Sequence, residues 1–175
     1  LMERTARREY MELFTEQVKL SSLEIAALLK YLVYWVIPGQ KYISSLVREN
    51  PAVQEAVQVL RQAGIRTNLE LLQSAITPAS RKALVDKTLL PLEILMELVN
   101  RSDFSRLPWA SKATISNIIG AGYGSLAKLA NADPERLYAD FFRYGKSIGK
   151  NLKLGNEIEN SYRIAKIVPV ILNAV

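Results

Sequence analysis

Ala63-Gly64-Ile65-Arg66-Thr67-Asn68-Leu69-Glu70-Leu71-Leu72 is echoed at Ala121-Gly122-Tyr123-Gly124-Ser125-Leu126-Ala127-Lys128-Leu129. In each copy an apolar helical run ends in Ala-Gly followed by one large apolar residue, Ile65 or Tyr123. A small polar residue, Thr67 or Ser125, then opens a second leucine-bearing helix. Glycine is the usual residue for a left-handed C-cap, and serine and threonine are good N-caps. The two glycines, Gly64 and Gly122, stand 58 residues apart, a spacing that fits a duplicated helical unit.

Outward from this repeat the chain reads as all-α. Apolar residues recur at three- and four-residue spacing, and strand-like alternation is nowhere sustained. A first helix is predicted over about Glu3 to Leu20. Ser21-Ser22-Leu23-Glu24 is a capping-box signature for a second, to about Val36, which Ile37-Pro38-Gly39 stops. A short helix follows around Tyr42 to Arg48. The repeat region then predicts helices over Ala52 to Gln62, Asn68 to Ser74, Thr77-Pro78 to Lys87, Leu90-Pro91 to Asn100 and Lys112 to Ile119. A short helix opens at Ser125. Asp133-Pro134 caps another towards Lys150, and a last one runs from Glu157 to about Asn173. The organisation expected is an N-terminal helical segment, 1–50, followed by a tandem region, 51–175, with units at about 51–76 and 104–140.

The 175 residues suffice for a core without disulfides or metals. The 49% apolar and 23% charged residues are the balance of a globular chain. No cysteine and no histidine occur, so disulfides and Ser-His, Cys-His and zinc chemistry are excluded. The start, Leu1-Met2-Glu3-Arg4, lacks the apolar core of a secretory leader, and the location expected is cytoplasmic. The longest apolar stretch, Leu23 to Ile37, contains Glu24 and Lys30 and is short of the roughly 20 residues that span a bilayer. The net charge of +6 favours anionic partners.

The region from about Pro51 to Ile171 resembles a poorly characterised bacterial family with two helix-hairpin-helix units in tandem, a SAM-like helical bundle. The two Ala-Gly patterns carry the resemblance. So do Thr77-Pro78-Ala79-Ser80-Arg81-Lys82-Ala83-Leu84 and the run Leu126-Ala127-Lys128-Leu129-Ala130-Asn131-Ala132-Asp133-Pro134-Glu135-Arg136-Leu137. The resemblance implies a DNA-binding hairpin in which a Gly-apolar-Gly turn lets backbone N–H groups approach a phosphate. This chain departs from it at both places. It has Pro51-Ala52-Val53 in the first unit and Trp109-Ala110-Ser111, then Lys112, in the second. Proline removes an N–H donor, and Ser111 and Lys112 offer a hydroxyl and an ammonium instead.

The strongest charge feature is Arg143, Lys146, Lys150 and Lys153. On a continuous helix their spacing puts all four on one stripe, with no acid between the first and the last, and phosphate is the counter-ion that suits it. Arg163 and Lys166 could widen the patch. Gly145-Lys146-Ser147 is not a P-loop: the glycine required five residues earlier is Asp140, and no strand precedes it. Glu93 and Glu97, or Glu12 and Glu16, share helix faces without specifying metal or acid-base work, and Asp133 reads as a helix cap. Tyr31, Tyr34 and Trp35, with Tyr42, form an aromatic group suited to the core or to a partner surface.

These features lead to a non-enzymatic protein with no cofactor and no metal, binding nucleic-acid backbone weakly and without reading sequence. Ser111, Lys112, Arg143, Lys146, Lys150 and Lys153 are the expected phosphate contacts. The alternative is a protein-interaction or scaffold module, self-associating or docking a partner through Tyr31, Tyr34 and Trp35, whose hairpins have lost DNA contact.

Overall fold

Every regular element of the computed structural model is helical among the residues it describes, which are 7–36, 39–47, 50–107, 110–152 and 156–172; of 30–36 and 156–158 it gives the backbone course. The chain divides into two compact units, Leu1–Ile37 and Pro38–Val175.

The first unit is a pair of helices, α1 (Arg8–Val18) and α2 (Ser22–Val36), which pack on each other. Lys19 ends α1 in the left-handed conformation, φ 55°. The capping box forms as the sequence predicts. The Glu24 N–H donates to Ser21 Oγ at 3.3 Å, and the Ser21 N–H donates to Glu24 Oε2 at 2.8 Å.

The second unit begins with a single 3₁₀ turn, Ile43–Ser45, where the sequence suggests a short helix. Then come α3 (Pro51–Gln62), α4 (Asn68–Ser74), α5 (Pro78–Thr88) and α6 (Leu92–Phe104). These are followed by α7 (Lys112–Gly120), α8 (Leu126–Ala130), α9 (Pro134–Ser147) and α10 (Asn156–Ala165). α6 is the central element, touching α3, α4, α5 and α8. Its Leu95, Leu98, Val99 and Phe104 are fully buried. Each contributes roughly 1.5–3 kcal/mol by leaving water.

The repeated Ala-Gly pattern produces one backbone turn twice. In the α3–α4 pair the Ile65 N–H reaches Leu60 O at 2.9 Å and the Gly64 N–H reaches Arg61 O at 3.1 Å. In the α7–α8 pair the Tyr123 N–H reaches Ile118 O at 3.1 Å and the Gly122 N–H reaches Ile119 O at 3.0 Å. Both are Schellman motifs, which absorb the last carbonyls of a helix. The left-handed residue is Gly64 (φ 90°) in one and Gly122 (φ 102°) in the other, a region where a Cβ would be strained. The motif's apolar contact is present in kind: Ile65 and Leu60, Tyr123 and Ile118 are all buried. Thr67 Oγ1 and Ser125 Oγ then accept from the N–H groups of Glu70 and Lys128, opening α4 and α8.

α10 ends at Ala165, eight residues short of the predicted Asn173. Pro169 explains this: it has no N–H to continue the ladder and disfavours helical geometry in the residue before it. The chain instead closes with Ile167 and Val168 N–H groups on Ile164 O, each at 2.9 Å. Ile171 and Leu172 then pack on the core formed by Ile43, Leu60, Leu71, Leu95 and their neighbours.

Candidate nucleic-acid interface

The basic segment Arg143 to Lys153 does not form the single helical stripe its spacing suggests. α9 ends at Ser147, Ile148 caps it, and Gly149 turns left-handed at φ 66°. The Lys150 N–H folds back onto Gly145 O at 2.8 Å and the Gly149 N–H onto Lys146 O at 3.1 Å, a third Schellman turn. Gly145 makes the fold-back possible, since a Cβ there would lie 2.7 Å from Lys150 O. Lys150 therefore sits past the helix, and Lys153 lies outside the described residues.

The fold-back still brings cations together. Phe142, Lys146, Gly149, Lys150, Asn151 and Leu152 line one open cleft of about 450 Å³. Arg143, Lys146 and Lys150 are all exposed. Lys146 Nζ lies 4.5 Å from the Phe142 ring centroid, within cation–π range. Arg143 is the most compensated of the three: its Nη1 lies 3.1 Å from Asp140 Oδ1. Asp140 also accepts the Tyr123 hydroxyl at 3.0 Å and faces Arg136 Nε at 3.7 Å. Burial, with the Asp140 contact second, pushes the Tyr123 phenol up to about 12. The Gly-Lys-Ser run lies in the last turn of α9, where Gly145 is buried, a setting with no resemblance to a phosphate loop. Arg163 is paired with Glu159 at 2.6 Å, and Lys166 Nζ covers the Tyr162 ring at 4.4 Å.

Ser111 and Lys112 are exposed at the N-terminal end of α7. Ser111 is the N-cap itself: its Oγ accepts the Thr114 N–H at 3.1 Å and meets Thr114 Oγ1 at 2.9 Å. The hydroxyl expected to take phosphate is thus committed to the helix end. Trp109 lies outside the described residues. At the far end of α7, the Tyr144 ring fills the space where a side chain on Gly120 would stand. In the first pair, Pro51 is the first residue of α3 and Asn50 Oδ1 caps it by accepting the Ala52 N–H at 3.1 Å. Proline's missing donor is harmless there. Tyr31 and Tyr34 and Trp35 fall on the backbone of α2, but their side chains lie outside the description. Tyr42 is exposed and pairs through its backbone with Thr67. The acids behave as caps and partners. Asp133 Oδ1 takes the Arg136 N–H, Glu97 pairs with Arg101, and Glu12 with Arg8.

Sequence reasoning passed over two buried polar groups, Asn68 and Arg101, and the role of the half-buried Lys41. Asn68 is fully buried. Its Oδ1 accepts the Lys41 N–H at 2.8 Å, and its Nδ2 donates to Gly39 O at 3.1 Å and Ser105 Oγ at 2.8 Å. Lys41 Nζ donates in turn to Ser105 O and Ala110 O, and partial burial pulls its ammonium below the usual lysine range. Arg101, buried in α6, reaches Leu46 O, Ser116 Oγ and Glu97, which ties the 3₁₀ turn and α7 to the central helix. The only signal in the sequence was that Asn68 and Arg101 fall on apolar helix faces.

Among the described residues no helix is long and apolar enough to cross a membrane. No curated protein and no solved structure matches the chain. Residues 50–159, from the cap of α3 into α10, match one family along their whole length, and the chain belongs to it: the Domain of unknown function (DUF4332).

Proposed function

We propose that this protein is a non-enzymatic tandem helix-hairpin-helix protein that binds nucleic-acid backbone weakly and without reading sequence. The observation that carries the reading is the cleft at the end of α9, which Lys146 and Lys150 both line. Two exposed ammonium groups on one concavity neutralise phosphates without distinguishing bases. The identical turns at Gly64 and Gly122 support the duplicated architecture. Lys112 and Arg143 add charge, Ser111 serves by capping α7, and Lys153 extends the basic run in sequence.

Binding to duplex and single-stranded DNA at two salt concentrations tests this. With three phosphates neutralised, duplex affinity falls about fortyfold between about 50 and 200 mM salt. Changing Arg143, Lys146, Lys150 and Lys153 to Glu abolishes it. Absence of binding at low salt, or no loss in that variant, defeats the proposal.

A second reading, a self-associating or partner-docking module, is favoured by one observation. Leu13, Leu23 and Leu28 of the N-terminal pair are 58%, 83% and 44% exposed. Light scattering decides it: a strict monomer counts against this reading.

A further inference from the structure

α9 carries two large aromatic side chains that the core does not use. Tyr138 is 50% exposed and Phe142 56%, although Leu137 and Phe141 beside them are buried. Tyr138, Phe142 and Lys146 are spaced four apart, so they follow one another along one face of the helix, about 6 Å apart along its axis. Lys146 Nζ stands over the Phe142 ring, and Lys150 and Asn151 close the other side of the same cleft. From residue 141 to 152 the chain has three cations and no acid. The nearest acid, Asp140, is held by Arg143, Arg136 and the Tyr123 hydroxyl.

From these contacts we infer that the α9 face is a binding site for single-stranded nucleic acid, with Phe142 and Tyr138 stacking bases and Lys146 and Lys150 holding the backbone between them. The inference rests on the nucleic-acid reading above and narrows it. A duplex buries the faces of its bases in its own stack and can use only the lysines. A single strand offers unpaired bases as well as phosphates, and aromatic platforms beside a basic groove are the general solution for binding one. Charge selects this occupant over an apolar protein segment. A protein partner covering Phe142 would have to desolvate Lys146 and Lys150 or supply acids for both, whereas a nucleotide brings its anion and its flat apolar face together. Lys146 also complements the negative end of the α9 dipole. Lys150, beyond the turn, has no such role, and neither ring does.

The test uses the full chain with a fluorescein-labelled oligothymidylate of about 15 nucleotides, near the upper range of a single binding module, and a duplex of equal length. Anisotropy is read at low salt for the parent, for Phe142→Ala, for Tyr138→Ala and for Lys146→Glu/Lys150→Glu. Circular dichroism confirms that the helices persist. The expected result is tighter binding of the single strand, a loss of about tenfold for it in Phe142→Ala with duplex binding unchanged, a smaller loss in Tyr138→Ala, and loss of both ligands in the double charge variant. Equal binding of the two ligands with Phe142→Ala silent overturns the single-strand inference and leaves the backbone reading standing. No binding of either ligand overturns both. A Phe142→Ala variant that changes the oligomeric state by light scattering while binding oligothymidylate like the parent assigns the face to a protein contact and overturns the inference.

Discussion

At Gly64 and at Gly122 the backbone makes the same Schellman turn into the same kind of N-cap, Thr67 or Ser125. The next residue is Asn68 in one copy and Leu126 in the other. Asn68 is a polar clamp on the 39–41 segment and on Ser105, while Leu126 is buried apolar packing. The copies also differ three residues after the cap. Glu70 returns its carboxylate to the N–H groups of Arg66 and Thr67, at 2.8 and 2.9 Å, and Lys128 has no carboxylate to return. At the last helical residue before the turn, the first pair has the exposed Gln62 and the second has Gly120 under the Tyr144 ring. The two helix pairs thus share the atoms that close the turn and differ in those that attach each pair to its surroundings.

The largest test of this contrast exchanges the residues after the caps. Asn68→Leu leaves the Lys41 N–H and Gly39 O without their partner and should cost about 2–4 kcal/mol in chemical denaturation. Leu126→Asn buries an amide in an apolar site and should cost a comparable amount. If either exchange is neutral, the two positions are interchangeable and the contrast fails. Next come Gly64→Ala and Gly122→Ala, each about 1–2 kcal/mol from the left-handed backbone. Similar losses in both confirm the shared turn, and a silent substitution in one would break the equivalence. Smaller still are the caps: Thr67→Ala and Ser125→Ala should each cost about 1 kcal/mol, read as a shift in the urea midpoint.

The smallest expected effect is a dependence on pH confined to the first pair. Hydrogen bonds from the Arg66 and Thr67 N–H groups hold the Glu70 carboxylate below its ordinary value of 4.5. A carboxylate depressed in the folded state contributes fully above its unfolded value and loses that contribution as pH falls through its folded one. Amide exchange at Arg66 and Thr67 should therefore speed up below about pH 4.5 relative to the matching amides of the second pair, and Glu70→Gln should remove the difference. Equal acid sensitivity in both pairs would show that the capping box is not what separates them.

The helices of the second unit were legible because their punctuation is local. Pro78, Pro134, Thr67, Ser125, Gly64 and Gly122 each act within four residues, so a reader of the sequence needs no tertiary knowledge to place them. The exceptions arise where a distant or competing element decides. Ile43–Ser45 form only a 3₁₀ turn, and the Ile43 N–H is tied to Arg66 O, just before α4. The basic stripe broke at Gly149 because a glycine that can extend a helix at some cost also ends it cleanly, and Gly145 gave the returning chain room. The cleft itself, with Phe142 beside Lys146 and Lys150, came from that break and could not be read from a continuous helical wheel. The Asn68 clamp was hidden for a different reason: its partners lie 27, 29 and 37 residues away.

The clamp also bears on where the chain can be cut. The family region, 50–159, starts after Lys41, whose N–H is held by the Asn68 side chain, and ends within α10. A fragment made to those limits would strip two of the three partners, Lys41 and Gly39, from a fully buried amide and remove Tyr162, Ile164 and Ala165, all buried. A piece from about residue 39 to 172 keeps every one of these contacts and the packing of Ile171 and Leu172 on the core, and it is this longer stretch, rather than the recognisable one, that should survive as a protease-resistant core.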